Sequence, residues 1–311
     1  MLWINVTSVV ISTRKYLDGV GGWRCSRCLV YEIIGLMKSK SILRDRIQNK
    51  FSKLFKVNND LRKIAKSMID LNPQVNSPKD GVACYMLAKA YKTHGVIMKL
   101  ARLGYSEDAD MLARTLFDVA IIISACIDDK NDDTVSKYLK FDDSTRSQMY
   151  RQLINEGKFQ EYFEERASNP KAGDEPISEI YERAEKGIAE YGGDFRRKWH
   201  SGKTSSQMAE SVKLKQYFDT AYNLQSQLVH SLPRCMNRYF IDDGKNIFID
   251  IKPKENEINL TLISTFNIFF VIIQKFNDHY KYIPDNTFKP LVDDFVTAAK
   301  PFFDPYYTNN K

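Results

Sequence analysis

The stretch Tyr217-Phe-Asp-Thr-Ala-Tyr222-Asn-Leu-Gln-Ser226-Gln-Leu-Val-His230-Ser-Leu-Pro-Arg234 reads as a helix that ends near Pro233. In that reading Tyr222, Ser226 and His230 fall at i, i+4 and i+8, so a phenol, a hydroxyl and an imidazole share one slowly drifting stripe. Leu224, Leu228 and Val229 flank the stripe and are expected to pack inward. A second stretch is expected to face it: Met111-Leu-Ala-Arg114-Thr-Leu-Phe-Asp118-Val-Ala-Ile-Ile-Ile-Ser-Ala-Cys-Ile127. Arg114 and Asp118 are i, i+4 partners just ahead of an apolar run, and charges that enter a core helix must be paired or functional.

Outward from these two helices, the composition is that of a globular chain. Its 311 residues suffice for one large domain or two ordinary ones. With only 14 Gly and 10 Pro, it is poor in the turns a strand-rich fold needs. The net charge of +7 is concentrated: between Met37 and Lys66, ten Lys or Arg stand against two Asp, a local +8. Such a segment can attract phosphate or a membrane surface, or it can be the solvated outer face of a helix. Cys84, Cys126 and Cys235 read as reduced core residues, which points to a cytoplasmic protein. Cys25-Ser-Arg-Cys28 lacks the second pair that a zinc site requires. The apolar run Leu260–Ile273, interrupted by Thr261, Ser264, Thr265 and Asn267, falls short of the about 20 apolar residues of a membrane span. The first residues lack the pattern of a signal peptide.

Three regions are expected. Residues 1–36 form an N-terminal extension that either is a small appended segment or is not native, with translation starting at Met37; the second reading is preferred. Residues 37–79 form a basic amphipathic helix, with a break near Asn58-Asn59, and a loop. Residues 80–311 form the main helical domain. Its first helix, about 80–103, offers Tyr85, Leu87, Tyr91, Val96, Leu100 and Leu103 to the core and stops at Gly104. Ser106 then reads as the N-cap of the central helix, which runs to about Asp128, with Glu107 and Asp108 in its first turn. Short helices are expected at about 132–140, 143–155 and 158–167, a loop at 168–175, and helices at about 176–191, 204–211, 255–280 and 286–300. Alternating Ile247, Ile249 and Ile251 after Asp243-Gly244 predict a small β-hairpin within 239–251. The fold class is therefore all-α, a multi-helix bundle with one hairpin.

His230 is the leading candidate for proton transfer, with Ser226 and Tyr222 orienting it and Arg234 at hand for an anion. The competing reading is a histidine whose hydrogen bonds are satisfied in the fold. Arg114 either clamps a phosphate, held by Asp118, or forms a structural ion pair with it. Trp199 and His200 follow Arg196-Arg197-Lys198, a pattern that can stack a base while charges hold phosphate. An aromatic anchor for the loop is the preferred reading of Trp199. His94 and His279 have no metal-ligand neighbours at useful spacing, and neither metal nor cofactor is expected.

Leu112, Arg114, Phe117 and Asp118 resemble the L-x-R-x-x-[FL]-[ED] helix of a bacterial all-helical domain family that carries an unknown-function label. Trp199, Tyr217 and Tyr222-x-x-x-Ser226-x-x-x-His230 resemble its later W…Y…Y-x-x-x-S-x-x-x-H stretch, and the likeness covers about residues 80–250. More distantly the chain resembles the HEPN helical bundles, many of them metal-independent ribonucleases that use an Arg and a His. The resemblance to the unknown-function family implies a defence or stress system, phage defence among them, and the HEPN resemblance implies binding of a nucleotide or RNA phosphate. Its site would have His230 as acid–base, Arg114 steadied by Asp118 as charge stabiliser, and Tyr222, Ser226, Arg234 and Trp199 on the substrate. The HEPN motif R-x(4–6)-H is not matched, since Arg234 follows His230 and Arg196 precedes His200 too closely. The alternative is a non-enzymatic scaffold that binds a protein partner or a second copy of itself.

Overall fold

The computed structural model describes residues 41–155, 157, 175–242, 244 and 246–303. The chain divides into a unit ending at Arg46, of which only the helical residues 41–46 are described, and a unit from Ile47 onward. The expected extension at 1–36, the helix at 158–167 and all but the last residue of the loop at 168–175 lie outside the described residues.

In the second unit, α1 (Ser52–Asp70) buries Leu54, Phe55, Leu61, Ala65 and Met68 at helical spacing. Its lysines face outward and are largely paired: Lys56 and Lys63 reach Asp60 at 2.9 and 2.7 Å, and Lys66 meets Asp70. The helix runs unbroken through Asn58-Asn59, against expectation. Asn58 is buried and fully used, donating to the carbonyls of Leu54 (2.9 Å) and Leu262 (3.2 Å) and pairing with His94 Nε2 (3.0 Å).

The next helix, α2 (Pro78–Leu103), starts on a Ser77 cap and stops at Gly104, whose left-handed φ of +86° favours glycine. A Cβ there would also stand 2.9 Å from the Lys254 carbonyl oxygen. The buried face differs from the expected one. Leu87 is buried as expected, beside Val82, Met86, Ala90, Ile97 and Ala101, while Tyr85, Val96 and Leu103 are exposed and Tyr91 and Leu100 half-buried. This helix packs against both α3 (Ser106–Asp128) and α8 (Ile258–Tyr280), and its alanines permit that close approach. Ser106 is not the expected cap of α3. It lies inside the first turn, buried, and Tyr105 holds the cap position without a side-chain bond.

A single helix, α4 (Asp133–Asn155), replaces the two short ones expected there, because no Gly or Pro interrupts Lys140-Phe-Asp-Asp-Ser144. It packs on α5 (Ile177–Tyr191), with Arg183 joined to Asp143 (2.9 Å) and Glu175 (2.6 Å). A short α6 (Ser205–Ser211) opens on a capping box of Thr204 and Gln207.

The anchor stretch is helical but segmented. One turn (Lys215–Tyr217) leads into a π-helical turn (Phe218–Tyr222) and then α7 (Asn223–Val229). The helix ends four residues before Pro233, with His230 at the C-cap and Ser231 at φ +51°. Of the three flanking apolar residues only Leu228 is buried; Leu224 and Val229 are exposed. After the three-ten turn Pro233–Arg238, β1 (Phe240–Asp242) pairs antiparallel with β2 (Ile247–Ile249), as the hairpin pattern requires. α8 is long and apolar enough to cross a membrane by length and composition, longer than the interrupted run in the sequence. Here it packs against α1, α2 and α3, burying Leu262, Phe266, Phe269, Ile273 and Phe276. Finally α9 (Phe288–Ala299) covers α1, and its Phe295 stacks on Phe266 at 3.9 Å. The fold is all-α with one two-stranded hairpin among the described residues.

Candidate functional site

Two of the expected constellations meet. Arg114 on α3 donates to Asp118 Oδ2 at 2.7 Å and to the Tyr222 hydroxyl at 2.8 Å, and its guanidinium sits 4.9 Å from the Tyr222 ring centre. The Tyr222 ring is wedged between Phe117 (5.1 Å) and Phe218 (4.6 Å). The π turn just before Tyr222 sets this arrangement, since an extra residue in the turn rotates what precedes it relative to α7. Burial pushes the Asp118 carboxyl above its ordinary range, and the adjacent Arg114 works against that shift. Arg114 Nε is buried without a partner among the described residues.

The rest of the stripe departs from this network. Ser226 is half-buried and His230 exposed, and neither side chain makes a hydrogen bond among the described residues. Eight residues of helix carry His230 about 12 Å along the axis from Tyr222. Arg234 lies in the three-ten turn, and Cys235 beside it is half-buried. No hydrogen bond joins Arg114 to His230 among the described residues; Arg114 holds Asp118, as expected, and the Tyr222 hydroxyl.

Trp199 lies elsewhere, at a cavity of about 200 Å³ beyond the far end of α3. It meets Tyr138 edge-on at 5.6 Å and His200 at 5.5 Å, so it does anchor its loop onto α4. The same cavity is lined by Lys137 and Lys203, and neither meets a carboxylate among the described residues. Burial and the neighbouring Lys203 pull the Lys137 ammonium below its ordinary value. His200 Nδ1 donates to the Lys203 carbonyl at 2.8 Å, and burial lowers its pKa. The cavity's acids are engaged already. Asp128 holds Lys275 at 2.6 Å, and Asp129 accepts from the backbone N–H groups of Asn131 (3.0 Å) and Thr134 (2.7 Å). Among the described residues no cluster of His, Cys, Asp or Glu could hold a metal.

Sequence reasoning missed Lys137 and Lys203, which stand 66 positions apart and share no motif. It also missed two structural pairs. His279 joins Asp80 at 2.6 Å, and Arg238 joins Asp110 (3.2 Å) and Glu257 (2.7 Å). Burial pushes Asp110 up to about 6, opposed by its bonds from Thr261 and Arg238. An Asn on an apolar helix face, as at Asn58, was the one visible sign of such buried pairing.

A helical core carrying an Arg–Asp–Tyr network, with a cavity lined by aromatic, basic and acidic side chains at the far end of α3, defines an all-α domain. Residues 80–247 match a family described as being of unknown function, DUF5677, and the chain belongs to that family. No curated protein and no solved structure matches the chain.

Proposed function

We propose that this chain is a HEPN-like helical module that binds the phosphate of a nucleotide or of RNA at the Trp199 cavity. The supporting observation is that Lys137 and Lys203 converge there without carboxylate partners among the described residues. A partly buried Lys137 with a second lysine nearby is costly as a charge, and an anion relieves that cost. Trp199 offers an aromatic surface beside them on which a base can stack. The segment through α1 contributes less attraction than its composition suggests, because Lys56, Lys63 and Lys66 are paired. Calorimetric titration of the full chain with nucleoside monophosphates and short RNA tests this reading. Saturable binding that weakens with salt is expected; no heat from either ligand removes it.

We propose as a separate, catalytic reading a metal-independent ribonuclease that uses His230, which does not line the Trp199 cavity. Its test is incubation with mixed RNA in EDTA beside His230→Ala. Cleavage by the parent alone supports it, and equal outcomes for the two proteins remove His230 from any chemistry.

The hairpin favours a second reading, association with another copy of the chain. Ile247, Phe248, Ile249 and Ile251 are 51–81% exposed, an apolar concentration unusual for a surface left bare. Sedimentation of the chain beside Ile249→Lys distinguishes a dimer broken by the substitution from a monomer in both.

A further inference from the structure

We infer that the outer edge of β2 is a seam between two copies of the chain, where β2 pairs antiparallel with its own counterpart about a two-fold axis at Ile249. This inference rests on the second-copy reading above and names the contact that carries it.

Three observations support it. The first is the phase of the hairpin's ladder. Phe240 stands opposite Ile249 and Ile241 opposite Phe248, and the Asp250 N–H donates to the Tyr239 carbonyl at 2.8 Å. In an antiparallel pair such bonded positions alternate with non-bonded ones, so Phe248 and Asp250 turn their backbone groups toward β1. Ile247 and Ile249 therefore turn theirs away from it, and Ile251, one step past Asp250, continues the alternation. None of these three has a backbone partner on that side among the described residues. β2 packs on β1 and makes no comparable contact with another described element.

The second is self-complementarity. A two-fold axis at Ile249 sets that residue against itself and Ile247 against the second copy's Ile251. Each outward-facing residue then meets another, which closes about six backbone hydrogen bonds across the seam. The paired isoleucines lie on one face, where each covers its cross-strand neighbour. The third is the lack of an edge defence. Sheets often guard a free edge with Pro, Lys or an inward-turned charge. From Ile247 to Ile251 the only charge is Asp250, and Lys254 holds it at 2.9 Å. A two-stranded hairpin exposed on both faces is marginal alone, whereas the seam makes it part of a four-stranded sheet. Its base is fixed by Arg238 on Asp110 (3.2 Å) and Glu257 (2.7 Å), and by Lys254 on the Arg238 carbonyl (2.6 Å). The edge is thus ordered before a partner arrives, which lowers the entropy lost on pairing.

The experiment follows the full chain by sedimentation, with thermal unfolding alongside to confirm that each variant folds. A concentration-dependent dimer is expected of the parent. Ile249→Pro removes an N–H that faces away from β1, so the hairpin's own ladder stays intact while the seam loses a donor on each copy. The dimer dissociation constant should rise at least about tenfold. Independently, Ile249→Cys places two thiols at facing positions whose Cα atoms lie about 5.5 Å apart, within disulfide reach. Mild oxidation should give a covalent dimer on a non-reducing gel, above the background of the parent and of Ile241→Cys, one strand further from the seam. A dimer that Ile249→Lys breaks and Ile249→Pro leaves intact overturns the edge seam while association stands. No covalent dimer from Ile249→Cys, or equal crosslinking at positions 241 and 249, overturns it in the same way. A parent that is monomeric at every concentration overturns both readings.

Discussion

Arg114 and Lys137 are both partly buried cations beside a tyrosine ring, and the protein treats them in opposite ways. Arg114 lies 4.9 Å from the Tyr222 ring and spends its charge on Asp118 and the Tyr222 hydroxyl. Lys137 lies 5.2 Å from the Tyr191 ring, shares a cavity with Lys203, whose charge opposes its own, and has no carboxylate partner among the described residues. A cation satisfied within the fold steadies packing, because its partners leave it little to offer a ligand. A cation with no carboxylate bonded to it, in an open cavity, keeps its hydrogen-bond donors for something that arrives. The comparison shifts the search for function from the motif-bearing helix to the cavity at the far end of α3.

Four variants test the contrast. The largest effect is expected from Lys137→Met combined with Lys203→Met. Losing two charge-assisted contacts, each worth roughly 1.5–3 kcal/mol, should weaken phosphate binding by about 100-fold or more. Titration of the double variant with adenosine monophosphate reads it, and an unchanged affinity makes the two cations equivalent after all. Next comes Arg114→Ala, which strands Asp118 and the Tyr222 hydroxyl and should cost about 1–3 kcal/mol in urea unfolding. If stability held and phosphate binding fell instead, Arg114 would belong to the ligand site. Tyr222→Phe removes a single hydrogen bond and keeps the ring between Phe117 and Phe218, so about 1 kcal/mol is expected from the same unfolding curves. The smallest effect is expected at His230. Exposed and unbonded among the described residues, it should tolerate alanine within about 0.5 kcal/mol. A larger loss would show that His230 is held by a contact outside the described residues.

Much of the architecture was legible because helix signals are local. Gly104 stops α2, Glu107 and Asp108 occupy the first turn of α3, Gly192 follows α5, and the Ile247–Ile249 alternation forms its hairpin. The Arg114–Asp118 pair was legible for the same reason, since i, i+4 spacing nearly guarantees proximity. The errors share a different origin. The buried face of α2 was misread because aromatic and branched residues weigh more in a pattern than alanines do. That helix is gripped on two sides, and close approach rewards its small residues. The Asn58 break was misread because a buried Asn looks like a turn signal until His94 and the Leu262 carbonyl are there to receive it.

The sequence by itself determined the helices, most of their ends, the hairpin and the pairing within α3, because each follows from residues a few positions apart. Tertiary structure alone decided the partners across distance. Tyr222, delivered by a π turn, reaches Arg114 from 108 positions away, and the helix stops early enough to leave His230 exposed outside the network. It also brought Lys137 to Lys203 beside Trp199. Backbone periodicity fixes which residues share a face, but not what that face will meet. That choice belongs to the packing of whole helices, where burial of apolar area outweighs any single polar contact.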